Sequence, residues 1–151
     1  MCSKILNGFW VAVRGVWQCM REEWHFRFHL VIACYVSVFA PRFPLSRAEY
    51  AILALTFAAV LTAELINSAI ERAVDRCSTE RHPLAGAAKD MAAGGVLVAA
   101  VGAIAVAICL FWKPAVWLEI VTEWGTHIER PVGLLVSVVA AVLFVWKGRA
   151  K

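Results

Sequence analysis

Met91-Ala92-Ala93-Gly94-Gly95-Val96-Leu97-Val98-Ala99-Ala100-Val101-Gly102-Ala103-Ile104-Ala105-Val106-Ala107-Ile108-Cys109-Leu110-Phe111-Trp112 is a stretch of 22 residues between Asp90 and Lys113 without one charge. At a rise of 1.5 Å per residue it makes about 33 Å of helix, enough to cross the hydrocarbon of a bilayer. Within it Gly95, Ala99, Ala103 and Ala107 recur every four residues, a face on which a second helix can approach closely. The whole chain fits that reading. It has 151 residues, 62% hydrophobic and 17% charged, and so small a fold cannot bury that much apolar surface in a core of its own.

Working outward, the run from Phe28 to Ala40 is apolar and is closed by Pro41 and Pro44, which a helix interior does not accept. A second run, 48–66, is uncharged from Tyr50 to Ala63, then meets Glu64 while its helical pattern continues to about Cys77. Beyond Pro114 an acidic stretch with Glu119, Glu123 and Glu129 leads to an uncharged segment, 131–146. Residues 4–24 mix charges with Phe9, Trp10, Val13, Val16 and Trp17 and show no cleavable signal peptide. They read as an amphipathic helix, lying in the headgroup region or packed on other protein. The expected fold is all-α and membrane-embedded: an interfacial N-terminal helix, three core spans at about 28–40, 48–66 and 91–112, and a fourth span at 131–146.

Five cysteines lack paired spacing, so neither disulfides nor a metal cluster is expected. The net charge of +4 is spread along the chain, which argues against a nucleic-acid partner. Its distribution speaks instead to topology. Eleven of the fifteen Lys and Arg residues fall before the first span, between Arg72 and Lys89, and after 146; four fall in the alternate loops. Excess positive charge marks the cytoplasmic side, which puts the N-terminus, the loop from Arg72 to Lys89 and the C-terminus there.

On that side lies a row of polar groups. Glu64, Asn67, Glu71 and Asp75 stand at i, i+3, i+7 and i+11, one helical face over roughly 16 Å. Glu64 is nearest the membrane, where a carboxylate facing lipid costs roughly 2.5 kcal/mol or more, so it must face protein, water or a cation. Arg72 and Arg76 could equally form a solvated helix end with local ion pairs. Glu22 and Glu23 before the first span, and Lys89 with Asp90 before the third, sit at the same level. Hard carboxylates suit Mg²⁺ and a lysine suits a phosphate, yet the chain has no GxxxxGK[ST] loop. On residue chemistry alone, nucleotide-dependent chemistry and a proton or ion relay both remain open. A purely structural subunit fits poorly with the cost of burying Glu64.

The run Ala63-Glu64-Leu65-Ile66-Asn67-Ser68-Ala69-Ile70-Glu71, then Val74-Asp75, His82-Pro83-Leu84-Ala85 and Ala88-Lys89-Asp90-Met91-Ala92-Ala93-Gly94, closely resembles the small bacterial diacylglycerol kinase and undecaprenol kinase family. Glu23-Trp24-His25-Phe26-Arg27-Phe28-His29 matches the segment before that family's first span, and the resemblance covers about Lys4 to Trp112. It implies a lipid kinase domain at 1–112, followed by an extension at 113–151 without a counterpart in the typical member.

The resemblance further implies a role for each matching residue. Glu64 would be the general base for the lipid hydroxyl, Asn67 would orient its neighbours, and Lys89 would neutralise charge on the transferring phosphoryl group. Glu23 and Glu71 would hold Mg²⁺ on the ATP phosphates, and Glu80, His82 and Asp90 would help bind nucleotide. Lys4 stands where diacylglycerol-type members carry an arginine, which puts that ATP contact in doubt. The family implies a multi-pass homotrimer in the bacterial cytoplasmic (inner) membrane, with sites shared between subunits and facing the cytoplasm. Phe26-Arg27-Phe28-His29 and His82-Pro83-Leu84-Ala85 are closer to the undecaprenol kinase branch than to the diacylglycerol branch.

Overall fold

A computed structural model describes residues 2–77 and 82–147. Six α-helices and one 3₁₀ turn follow one another: α1 (Cys2–Glu22), α2 (Trp24–Phe39), the 3₁₀ turn Ala40–Arg42, α3 (Arg47–Cys77), α4 (Pro83–Phe111), α5 (Pro114–Thr126) and α6 (Glu129–Trp146). Local chemistry sets most of these boundaries. Pro41 cannot continue α2, which tightens into the 3₁₀ turn. Ser46 and Glu49 open α3 with a reciprocal capping box: the Glu49 N–H donates to Ser46 Oγ at 3.2 Å, and the Ser46 N–H donates to Glu49 Oε2 at 2.6 Å. His82 caps α4, its Nδ1 accepting from the Leu84 N–H at 3.3 Å, with Pro83 at the first helical position.

Helices α3, α4 and α6 are long and apolar enough to cross a membrane, so this is an all-α membrane protein. Helices α3 and α4 each extend beyond their apolar segments, α3 onward to Cys77 and α4 back to Pro83. Helix α2, taken from sequence as the first crossing, has 16 residues, about 24 Å. It is shorter than its neighbours but packs along both α3 and α6. The acidic stretch after Pro114, which carried no structural reading in the sequence, forms the 13-residue α5.

Contacts between helices give the topology. Helix α2 runs antiparallel to α3, with His29 beside Glu64 near one end and Ala40 against Leu53 near the other. Helix α4 runs antiparallel to α3, pairing Lys89 with Asp75 and Leu110 with Leu53. Helix α6 runs antiparallel to α2: Arg27 Nη1 donates to the Phe144 carbonyl at 2.9 Å and the Tyr35 hydroxyl donates to Ser137 Oγ at 2.9 Å. The packed core is small, made of Ala40, Leu53 and Leu110 with Val36, Phe57 and Val106 around it. Large apolar side chains face outward instead, Val98 at 74% exposure among them, as expected where lipid is the solvent. Helix α1 likewise presents Phe9, Trp10 and Trp17 outward and meets the bundle at Cys19, near its C-terminal end.

Candidate active site

The site lies where the C-terminal half of α3 meets the α1–α2 junction and the start of α4. Glu64 is 3% exposed, with Val60 buried one turn before it and Ser68 one turn after. Its Oε1 lies 3.1 Å from His29 Nε2 on α2. His29 lies in the segment Glu23 to His29 that resembles the family, and nothing in its spacing from Glu64 marks the two as neighbours. Only the packing of α2 on α3 brings the ring there.

One turn further, Asn67 Nδ2 donates to Glu71 Oε1 at 2.8 Å, while Asn67 Oδ1 is a buried acceptor without a partner among the described residues. Such an orphaned acceptor costs about 1–3 kcal/mol unless a ligand or water satisfies it. Ser68 accepts from the Cys19 thiol at 3.5 Å, which pins α1 to α3. Burial pushes the Cys19 thiol above its ordinary value, so it is an inert packing group.

Arg72, which the sequence could read as a mere solvated helix end, is the cation that joins two elements. Its Nη2 lies 3.1 Å from Glu22 Oε2 and donates to Glu23 Oε1 at 3.0 Å. Glu23 therefore meets α3 at Arg72, the residue after Glu71. Lys89 crosses from α4 to pair with Asp75. Asp75, grouped at first only by its spacing, is thus the carboxylate that holds the lysine. Asp90 is exposed on α4, and His82 is engaged as the helix cap. Glu80 and the Lys4 side chain lie outside the described residues. Among the described residues no group of three or more His, Cys, Asp or Glu side chains is arranged to cage a metal.

Arg27, in the same segment as His29, is likewise a residue whose part only the packing shows. It is 8% exposed and donates to the carbonyls of Met20 and Arg21 at the end of α1 as well as to Phe144 on α6, with its guanidinium 5.1 Å from the Phe144 ring centroid. These bonds satisfy helix-end carbonyls that would otherwise be orphaned. They also tie α6 to the α1–α2 junction that carries Glu22 and Glu23.

A buried carboxylate, an amide-held carboxylate and a lysine at one end of an apolar bundle can deprotonate an alcohol, bind a hard cation and neutralise phosphate. Comparison with known proteins identifies the family. The family model described as prokaryotic diacylglycerol kinase matches residues 10–111, ending where α4 ends. The undecaprenol kinase of Bacillus subtilis is 38% identical over 109 residues, covering 72% of this chain and 89% of that protein. The diacylglycerol kinase of Synechocystis is 37% identical over 121 residues, 80% of this chain and 69% of its own length. That of Escherichia coli K12 is 35% identical over 108 residues, 69% of this chain and 83% of its own. The chain therefore belongs to the prokaryotic diacylglycerol kinase family and is a lipid kinase, a phosphotransferase built from membrane-embedded helices.

Proposed function

We propose that the protein transfers the γ-phosphoryl group of MgATP to the primary hydroxyl of a membrane lipid alcohol, undecaprenol in preference to diacylglycerol. The observation that carries this reading is Glu64: a carboxylate 3% exposed in an apolar helix, on the face that continues to Asn67, Glu71 and Asp75. A lipid hydroxyl reaches that depth from the bilayer, and a water-soluble nucleotide reaches the polar turns beyond it. Membership of a lipid kinase family favours phosphoryl transfer over the ion relay that residue chemistry left open.

Glu64 accepts the hydroxyl proton, and Lys89, released from Asp75 or sharing it, balances charge on the phosphoryl oxygens. Glu23 and Glu71 would hold Mg²⁺, with the unpartnered Asn67 Oδ1 beside Glu71 adding a third hard oxygen to that neighbourhood. The donor set fits this ion, which takes one or two protein carboxylates and fills its shell with phosphates and water rather than needing a three-ligand cage. Held there by Glu23 and Glu71, Mg²⁺ would supply charge neutralisation for the phosphoryl group in transfer. His82, Asp90, Glu80 and Lys4 belong to the nucleotide side of this reading.

Undecaprenol is favoured by the B. subtilis relative, whose match covers most of both chains, and by the segments around Phe26 and His82. The fourfold alternation of Lys and Arg supports a cytoplasmic active site in the inner membrane, with α2 completing an even number of crossings. A homotrimer completes this reading, with the exposed apolar residues of α4 such as Leu97, Val98 and Val101 open to a neighbouring subunit or lipid. Purified protein in mixed micelles with labelled ATP, Mg²⁺ and either undecaprenol or diacylglycerol tests the proposal. Transfer to neither lipid overturns it, and faster transfer to diacylglycerol overturns the substrate preference.

A further inference from the structure

Glu64 sits among polar neighbours that are already engaged elsewhere. Asn67 Nδ2 donates to Glu71 and Ser68 Oγ accepts from Cys19, and among the described residues neither side chain hydrogen-bonds the Glu64 carboxylate. The contact that reaches it comes from another helix, His29 Nε2 at 3.1 Å from Oε1. A carboxylate only accepts, so this contact requires the ring proton on Nε2. The His29 side chain is 18% exposed and that of Glu64 is 4% exposed, so the imidazole is the more accessible partner of the pair. The Phe28 ring stands edge-on to the imidazole with centroids 5.5 Å apart.

We propose that His29 is a positioning residue for the phosphoryl transfer: its Nε2–H holds Glu64 Oε1 and leaves Oε2 turned to the lipid hydroxyl. This rests on the reading of Glu64 as the proton acceptor. In the step, the hydroxyl oxygen bonds to the γ-phosphorus, the bond from that phosphorus to the ADP oxygen breaks, and ADP leaves with the electron pair. The hydroxyl proton passes to Glu64 Oε2, and His29 keeps its own proton throughout. A buried carboxylate without this donor is free to rotate away from the attack geometry, and a misplacement of about 1 Å costs on the order of 10²-fold in rate.

His29→Phe keeps a ring of similar volume without a donor, and His29→Gln restores an N–H at similar reach. The expected result is a kcat about 10²-fold lower in the Phe variant, with KM for ATP and for lipid unchanged, and most of that loss recovered in the Gln variant. Wild-type kcat in His29→Phe, a change confined to KM, or a Gln variant no better than Phe overturns the proposal. Glu64→Gln, assayed alongside, separates the two claims: if it retains wild-type rates, the proton-acceptor reading itself fails. If it is dead while His29→Phe is unaffected, only the role of His29 fails. Should the Phe variant not fold, ¹⁵N-histidine-labelled protein reads the contact directly. The His29 Nε2–H signal shifts in Glu64→Gln if the contact is made, and an unchanged signal overturns the proposal.

Discussion

The two ends of the helix bundle each gather charged residues from several helices, yet they are built on opposite terms. At the end formed by Arg42, α5 and the start of α6, Glu123 is gripped by both Arg42 and Arg130, the rings of Phe43, Phe111 and Trp117 stack edge to face, and the Ala40–Leu53–Leu110 core lies close by. At the other end Glu64 and Ser68 are buried, Asn67 holds an unpaired acceptor, and the ion pairs of Arg72 and Lys89 join the polar turns of α3 to the α1–α2 junction and to the start of α4. At the first end the packed core serves stability and the exposed ion pairs add little to it. Buried polar groups with unmet valence are tolerated where a ligand completes them.

That contrast can be broken or sharpened by substitution at each end. Glu64→Gln is expected to lower lipid phosphorylation by about 10²- to 10⁴-fold, the usual worth of a general base, while leaving the thermal midpoint in detergent unchanged. A variant that loses stability rather than activity would assign Glu64 to the structural end. Lys89→Met should cost on the order of 10²-fold in transfer, with the loss seen in kcat under saturating ATP. Asp75→Asn frees the lysine and should leave a far smaller deficit; equal losses in the two would mean that the ion pair itself, not the ammonium, is what matters.

At the opposite end the same assays should respond in reverse. Leu53→Ala opens the packed core and should remove about 2 kcal/mol of stability, while the protein that remains folded keeps its specific activity. Glu123→Gln should lower the thermal midpoint only slightly, since the pair is solvent-exposed. Hydrogen bonds from Arg130 and Arg42 hold the Glu123 carboxyl below its ordinary value. Its contribution is therefore complete above the ordinary carboxylate range and is lost as pH falls through the depressed value. Melting curves of wild type and Glu123→Gln should thus differ at neutral pH and converge in acid; a gap that widens in acid would reverse the assignment.

Much of this protein is legible in one dimension because its strongest rules are local. A charge-free run of sufficient length makes α4 a membrane helix whatever surrounds it, and a period of 3.6 places Glu64, Asn67, Glu71 and Asp75 on one face without reference to any other segment. Proline and the Ser46–Glu49 box mark helix ends for the same reason. What escaped were contacts between residues far apart in the chain. His29 against Glu64, Arg27 reaching Phe144, Lys89 on Asp75, and Arg72 joined to Glu22 and Glu23 each depend on how two or three helices lie against each other. Helix α5 escaped too, because its short apolar face of Trp117, Ile120 and Trp124 is interleaved with Glu119 and Glu123 and finds its partners Phe39, Phe43 and Arg42 far away in the chain. The backbone's hydrogen bonds are satisfied within each helix, so sequence alone determines the helices. Which side chains meet across them is set by antiparallel packing, and the tertiary structure alone decided that Glu64 has an imidazole beside it.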